Sequence, residues 1–410
     1  MTTPVKKVEV GFDLTSSGGP FLILDDPVSG RLDDPDWVLA GTFYYDVTDR
    51  VRSYGIGRGK SRELDRYQTG TSSVVFDNRD RAFDPVFEDS PFYGNIIPRR
   101  DMRITVNDRV QYSGVIDDWN LNYDISTDST TVGAATDGFA VLAKQTLTGG
   151  TATPQTSGER VAAILDRAEV NWPAARRDID LGDAAIGADV IAEDTNVLQY
   201  LQLIETAEQG SLFINKHGDL AFKARSYLPA SSGGVTLADD GSGIPYQSMQ
   251  VVYGSELLYN EVVVSSSVTA ATAIAVDEDS QTAYGVANLT LSDLPLATDQ
   301  ELVDTAVFLA SKYSTPEYRF EQIEVLLDDL TESEQNQILD LEIGDVVRIK
   351  FTPNNIPPAI SKVAQVISIS HQAGIDRYSI TFGFQTLDFA PMILDDVEFG
   401  KLDSGNALSY

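Results

Sequence analysis

Residues 51–85 read VRSYGIGRGKSRELDRYQTGTSSVVFDNRDRAFDP, and this run decides how the chain is interpreted. Its first part, YGIGRGKS at 54–61, has the outline of a phosphate loop. Tyr54 stands where that loop needs a glycine, and the following residues head toward a strand rather than a helix. The segment therefore reads as a glycine-rich connector. Val74, Val75 and Phe76 have strand character. Asp77 and Asn78 then begin a turn, because short polar side chains bond to nearby backbone. Phe83 is placed to return to the core as an anchor.

Strand patterns extend to both sides of this run. VEVGFDL, GTFYYDVT, DMRITVND, VQYSGVIDDWNLNYD and TTVGAATDGFAVLA alternate or cluster β-branched and aromatic residues. Asn107 and Asp108 mark a hairpin bend. Residues 1–150 thus read as a first β-barrel or sandwich with an N-terminal excursion. The pattern then becomes helical. Thr156 and Glu159 form a capping box, followed by Val161, Ile164, Leu165 and Ala168 at helical spacing. A second helix is expected from about Asp194 to Glu208, stopped by Gly210, and SLFINKHGDLAFKA forms a hairpin. Residues 151–230 make a small α/β domain. Residues 231–390 return to strands, with one helix expected over 299–312 behind a Thr298–Glu301 capping box. Residues 391–410 form an acidic tail.

Composition limits the function. The chain has 410 residues, 30 basic and 62 acidic, for a formal charge of −32. Such a surface repels nucleic acid. Twelve of the basic residues lie between Arg50 and Arg109, whereas residues 231–410 hold 7 basic against 27 acidic. This asymmetry reads either as solvated faces or as a plus-to-minus match between neighbouring copies. With no cysteine, disulfides and thiolate metal sites are excluded. Neither a signal core nor a membrane-length apolar run is present, so no membrane anchor is expected.

Catalytic patterns are sparse. His217 and His371 are isolated, and neither HExxH nor GxSxG occurs. VDEDSQTAYG at 276–285 lacks calcium-loop spacing. No catalytic, cofactor or metal residues are assigned. Of the tryptophans at 37, 119 and 172, Trp119 falls in a strand, where core packing is its expected use.

Two runs echo each other: ILDDPVSGRLD at 23–33 and ILDDVEFGKLD at 393–403. Each reads as a short ribbon with little core of its own, which needs a partner surface. Ile23, Leu24, Asp25, Asp26 and Leu32, with Ile393, Leu394, Asp395, Asp396 and Leu402, are candidate docking residues. Local packing on the chain's own domain is the alternative.

The run at 51–85 resembles the start of minor tail proteins from long-tailed phages of actinobacteria. The matching residues are Arg58, Gly59, Glu63, Leu64, Asp65, Gly70, Thr71, Asp77, Asn78, Arg79, Asp80, Phe83, Asp84 and Pro85. VQYSGVIDDWNLNYD, TTVGAATDGFAVLAKQTL, DTNVLQYLQLIETAEQGSLFINKHGDLAFKA and EIGDVVRIKF follow in the order seen in baseplate-hub, or tail-associated, proteins. The resemblance implies a mainly β fold: two tail-tube-like β-barrels flanking a helix-plus-hairpin domain. It further implies a structural, non-enzymatic homotrimer at the virion tail tip, assembled in the host cytoplasm without cofactors. Its partners would be a distal tail ring protein, a tape-measure protein and other tail-tip proteins, with DNA only in transit through a channel; the net charge adds the expectation that acidic residues dominate that channel's wall. The alternatives are a hexameric distal tail ring protein, or a carbohydrate-binding or cell-wall-degrading tail protein.

Overall fold

The computed structural model describes residues 3–12, 43–124, 127–227 and 234–387. Both ILDD runs, including Ile23, Leu24, Asp25, Asp26, Leu32, Ile393, Leu394, Asp395, Asp396 and Leu402, lie outside the described residues.

The chain is mainly β. Among the described residues, thirteen strands share one sheet that draws on both β-rich regions. Along its main path the order is Ser248–Tyr253, Tyr318–Leu326, Tyr378–Thr386, Ile360–Ala373, Val51–Gly59, Gln68–Asp77, Ser129–Thr136, Arg109–Tyr123, Arg100–Val106, Lys6–Phe12 and Phe43–Asp46. The two expected barrels are therefore not separate. Val51–Gly59 pairs antiparallel with Ile360–Ala373, from Ser368 opposite Gly59 to Ala373 opposite Tyr54. Among the described residues no pairing closes either half on itself. An edge strand must satisfy its backbone groups somewhere, and here each half satisfies one edge with the other half.

The glycine-rich connector is likewise a strand, Val51–Gly59, at the centre of the sheet. Tyr54, Ile56 and Arg58 alternate into the buried side. That burial on a period of two, with a paired neighbour on each side, outweighs the low strand propensity of glycine.

The middle of the chain holds helix Ser157–Leu165, capped by the Thr156–Glu159 box, and helix Val197–Glu208. The second helix starts three residues later than expected from sequence. Asp194, Thr195 and Asn196 belong to strand Asp189–Asn196, and the Asn196 side chain caps the helix. Its end is set by Gln209 in the left-handed region (φ 56°), not by Gly210. Ser211–Ile214 and Leu220–Lys223 form the hairpin.

Strands Thr272–Val276 and Asn288–Leu294 and helix Glu332–Asp340 were not legible in the sequence. Glu261–Ser266, Thr272–Val276 and Asn288–Leu294 form a separate three-stranded sheet, packed against helix Asp299–Tyr313. Helix Glu332–Asp340 starts at a third capping box, Thr331–Glu334. Apolar side chains from all these regions merge into one core.

Candidate functional site: an open sheet face and two free edges

The central strands have a buried side and an open side. Alternation along Val51–Gly59 puts Ser53, Gly55, Gly57 and Gly59 on the open side. Pairing extends that face to Thr71 and Ser73, to Ala134 and Thr136, and to Ser368, Ser370 and Gln372. Next to these come Thr381 and Gly383. Most of these side chains are short, so the face is recessed. One recess of about 510 Å³ is lined by Gly55, Gly57, Thr71, Ser73, Asp118 and Gln372. A second, of about 560 Å³, is bounded by Arg62, Glu256, Arg319 and Gln322. Hydroxyls, amides and glycines outnumber charges. Asp118, Glu324 and Asp77 supply carboxylates, and Arg62 and Arg319 stand beside the second recess.

The sheet is built on a repeat. Arg109–Tyr123 pairs first with the preceding hairpin strand and then with the following strand, and a bulge falls between Ile116 and Asp118. Ile360–Ala373 does the same, with its bulge between Val366 and Ser368. Immediately before each hairpin, a residue with positive φ donates its N–H across the ladder. Arg99 (φ 70°) bonds to the Ile116 carbonyl at 2.7 Å, and Gly344 (φ 95°) bonds to the Val366 carbonyl at 2.8 Å. Each half therefore contributes five strands in the same relative order. In the second half, the outer edge beyond the bulge is filled by Val51–Gly59. The equivalent edge of the first half, residues 117–123, is free among the described residues, as is the outer edge of Ser248–Tyr253.

The run at 77–85 folds as a compact turn beside the first free edge. Asp77 accepts the Arg79 N–H at 3.1 Å, and the Arg79 guanidinium holds its carboxyl down to about 2. Buried Asn78 accepts the Phe83 N–H at 2.9 Å. Phe83 is fully buried and stacks on Phe76 at 4.5 Å and on Trp119 at 5.8 Å. Asp80 meets Arg50 at 2.7 Å. Asp84 binds Arg81 at 2.7 Å and the Tyr123 hydroxyl at 2.8 Å, while Pro85 is exposed. These residues support the strand end; they do not converge on a reactive centre.

The run at 58–65 works differently, as a clasp between regions. Arg58 pairs with Glu342 at 2.7 Å. The Lys60 ammonium donates to the Glu63 carbonyl, and the Glu63 carboxylate meets Lys312 at 2.7 Å and the Tyr313 hydroxyl at 3.0 Å. Arg62 reaches Glu256 at 2.8 Å, and Arg109 reaches Asp340 at 2.6 Å. The basic first half thus meets the acidic second half inside one chain. Burial pushes the Glu342 carboxyl up, but Arg58 and Lys216 together hold it below its ordinary value. Nearby, burial raises Asp137 to about 7 despite N–H bonds from Gly70 and Phe139. His371 lies within a strand, fully enclosed, with Nδ1 at 2.9 Å from the Tyr378 hydroxyl. Burial, with Arg58 and Lys216 adding to it, drops its pKa to about 3, so it stays neutral. His217 is exposed in a turn. Among the described residues, no group of three His, Asp or Glu side chains is arranged to hold a metal. No helix there is long and apolar enough to cross a membrane.

No protein-family model matches the sequence, and no curated protein matches it. Solved structures do match. The 43 kDa tail protein of prophage MuSo2 from Shewanella oneidensis aligns with a TM-score of 0.58 at 13% identity, covering 85% of this chain and 97% of that one. A tail protein from Neisseria meningitidis MC58 gives 0.61 at 11% identity, covering 94% and 97%. The prophage tail protein gp18 from Listeria monocytogenes EGD-e gives 0.50 at 11% identity, covering 84% and 92%. The chain shares the fold of phage tail proteins.

Proposed function

We propose that this chain is a structural protein of the phage tail tip: a baseplate hub in which three copies close a ring over the end of the tail tube. The repeat carries this reading. Two equivalent five-strand units per chain, joined in one continuous sheet, are wall segments from which three chains make six around a hollow collar. Two units per chain also favour a hub over a six-copy distal tail ring. The run at 51–85 points to long-tailed phages of actinobacteria as the source.

The open face is the channel wall in this reading. It differs from the acid-dominated wall expected from net charge, since its side chains are mostly short and neutral. The consequence for DNA is similar: phosphates meet few cations that would hold them. Distal ring, tape-measure and further tail-tip proteins would contact the two rims. The role is non-catalytic.

Mass measurement of the purified oligomer tests the proposal. Three copies support the hub, six the distal ring, and one neither. Tight retention of double-stranded DNA by the assembled ring at moderate salt would count against a passage role.

A further inference from the structure

We propose that neighbouring copies join through the same strand pairing that joins the two halves of one chain, in a register that the repeat dictates. This deepens the hub reading and rests on it. Inside the chain, Gln372 faces Gly55 and Ala373 faces Tyr54. Matching the two bulges makes Asn122 the counterpart of Gln372, and Tyr123 that of Ala373. Carrying the match across the sheet, Ser73 corresponds to Gln322, because they face Ala134 and Gly383 respectively. Gly55 then corresponds to Gln250, and Tyr54 to Met249. The seam between copies therefore sets Asn122 opposite Gln250, and Tyr123 opposite Met249.

Side-chain parity supports this register independently. Trp119 lies on the core face of its strand, stacked on Phe83, so Leu121 and Tyr123 share that face. Met249 and Val251 pack against the core from theirs. The proposed register brings Leu121 to Val251 and Tyr123 to Met249 beneath the sheet, with the Asn122 and Gln250 amides meeting above it. A slip of one residue would set Asn122 against Met249 or Val251, and Tyr123 against Ser248 or Gln250. Both edges carry exposed aromatics that a partner strand would cover: Tyr123 is 53% exposed and Tyr253 68%. Open edges of this kind template pairing with another chain.

The natural chain has no cysteine, which makes cross-linking clean. Asn122→Cys and Gln250→Cys are made as two separate proteins, each checked for fold by circular dichroism, then mixed during assembly and mildly oxidised. A covalent dimer is expected in the mixture and not in either protein alone. Ser248→Cys, two residues along on the same face, should cross-link to Asn122→Cys several-fold less, because diagonal neighbours lie farther apart than facing pairs. Hydrogen exchange on the unsubstituted assembly supplies a second measurement: amides in 117–123 and 248–253 should be protected. A ring of the expected mass with equal cross-linking at Ser248, or with both edges exchanging freely, overturns the register and leaves the hub reading standing. A chain that stays monomeric overturns both.

Discussion

Arg58 and Glu342 are 284 residues apart in sequence, and their side chains meet at 2.7 Å with the guanidinium almost wholly buried. The pair sits where the two halves of the large sheet meet the middle domain. Two further guanidinium nitrogens of Arg58, Nε and Nη2, have no hydrogen-bond partner among the described residues. Removing the carboxylate would leave a buried charge uncompensated. Glu342→Gln should therefore cost about 3–5 kcal/mol of unfolding free energy. The double variant Arg58→Met with Glu342→Gln should recover much of that loss. Urea unfolding of the three variants and wild type measures the coupling.

Phe83 closes the turn after the central strand pair, between Phe76, Phe92 and Trp119. Truncation to alanine should cost about 3–5 kcal/mol. Asn78→Ala removes the acceptor for the Phe83 N–H, leaving it unsatisfied in the core, at about 1–3 kcal/mol. Thermal unfolding should rank these two variants in that order. By contrast, Arg79→Ala removes only an exposed pair with Asp77 and should leave the melting temperature nearly unchanged.

Asp137 and His371 should give opposite pH dependences. The folded state raises Asp137 from 3.8 to about 7, so its stabilisation is full below pH 4 and is lost as pH rises toward 7. His371 falls from 6.5 to about 3, so its stabilisation is full above pH 6.5 and is lost as pH drops toward 3. At 1.36 kcal/mol per pKa unit, the two slopes span about 4–5 kcal/mol each. Denaturant unfolding at pH 4 and pH 7.5 checks both. The gap between wild type and Asp137→Asn should be larger at pH 4, and the gap for His371→Gln larger at pH 7.5. Parallel pH curves for either variant and wild type would contradict the assignment.

Two glycines of the central strand should respond very differently to a methyl group. At Gly59, φ is 112° and an added Cβ would stand 2.2 Å from the Ile367 carbonyl oxygen. Gly59→Ala should destabilise by more than about 2 kcal/mol, through strain and a backbone clash together. At Gly57 the nearest atom to an added Cβ is the Thr71 hydroxyl at 3.8 Å, so Gly57→Ala should be neutral within about 0.5 kcal/mol. Differential melting of the two proteins decides the point.

Sequence patterns of short range carried most of the local structure. The capping boxes at Thr156 and Thr298, the bend at Asn107–Asp108 and the return of Phe83 to the core follow from neighbouring residue types. They are determined by hydrogen bonds and burial within a few residues, which periodicity and turn chemistry encode directly. The strand from Val51 to Gly59 was hidden, because its glycines are tolerated only by virtue of partners in strands 68–77 and 360–373. Helix Glu332–Asp340 was hidden for a different reason: its three buried residues, Gln335, Ile338 and Leu339, leave a weak apolar stripe. The joining of two β-rich regions into one sheet, the burial of Arg58 against Glu342 and the pair of free edges depend on chain segments hundreds of residues apart. Their geometry is set by which edges find each other in space. The sequence by itself determined the elements and their turns; only the tertiary structure decided which strands become neighbours, because pairing is a contest among distant edges for the same backbone hydrogen bonds.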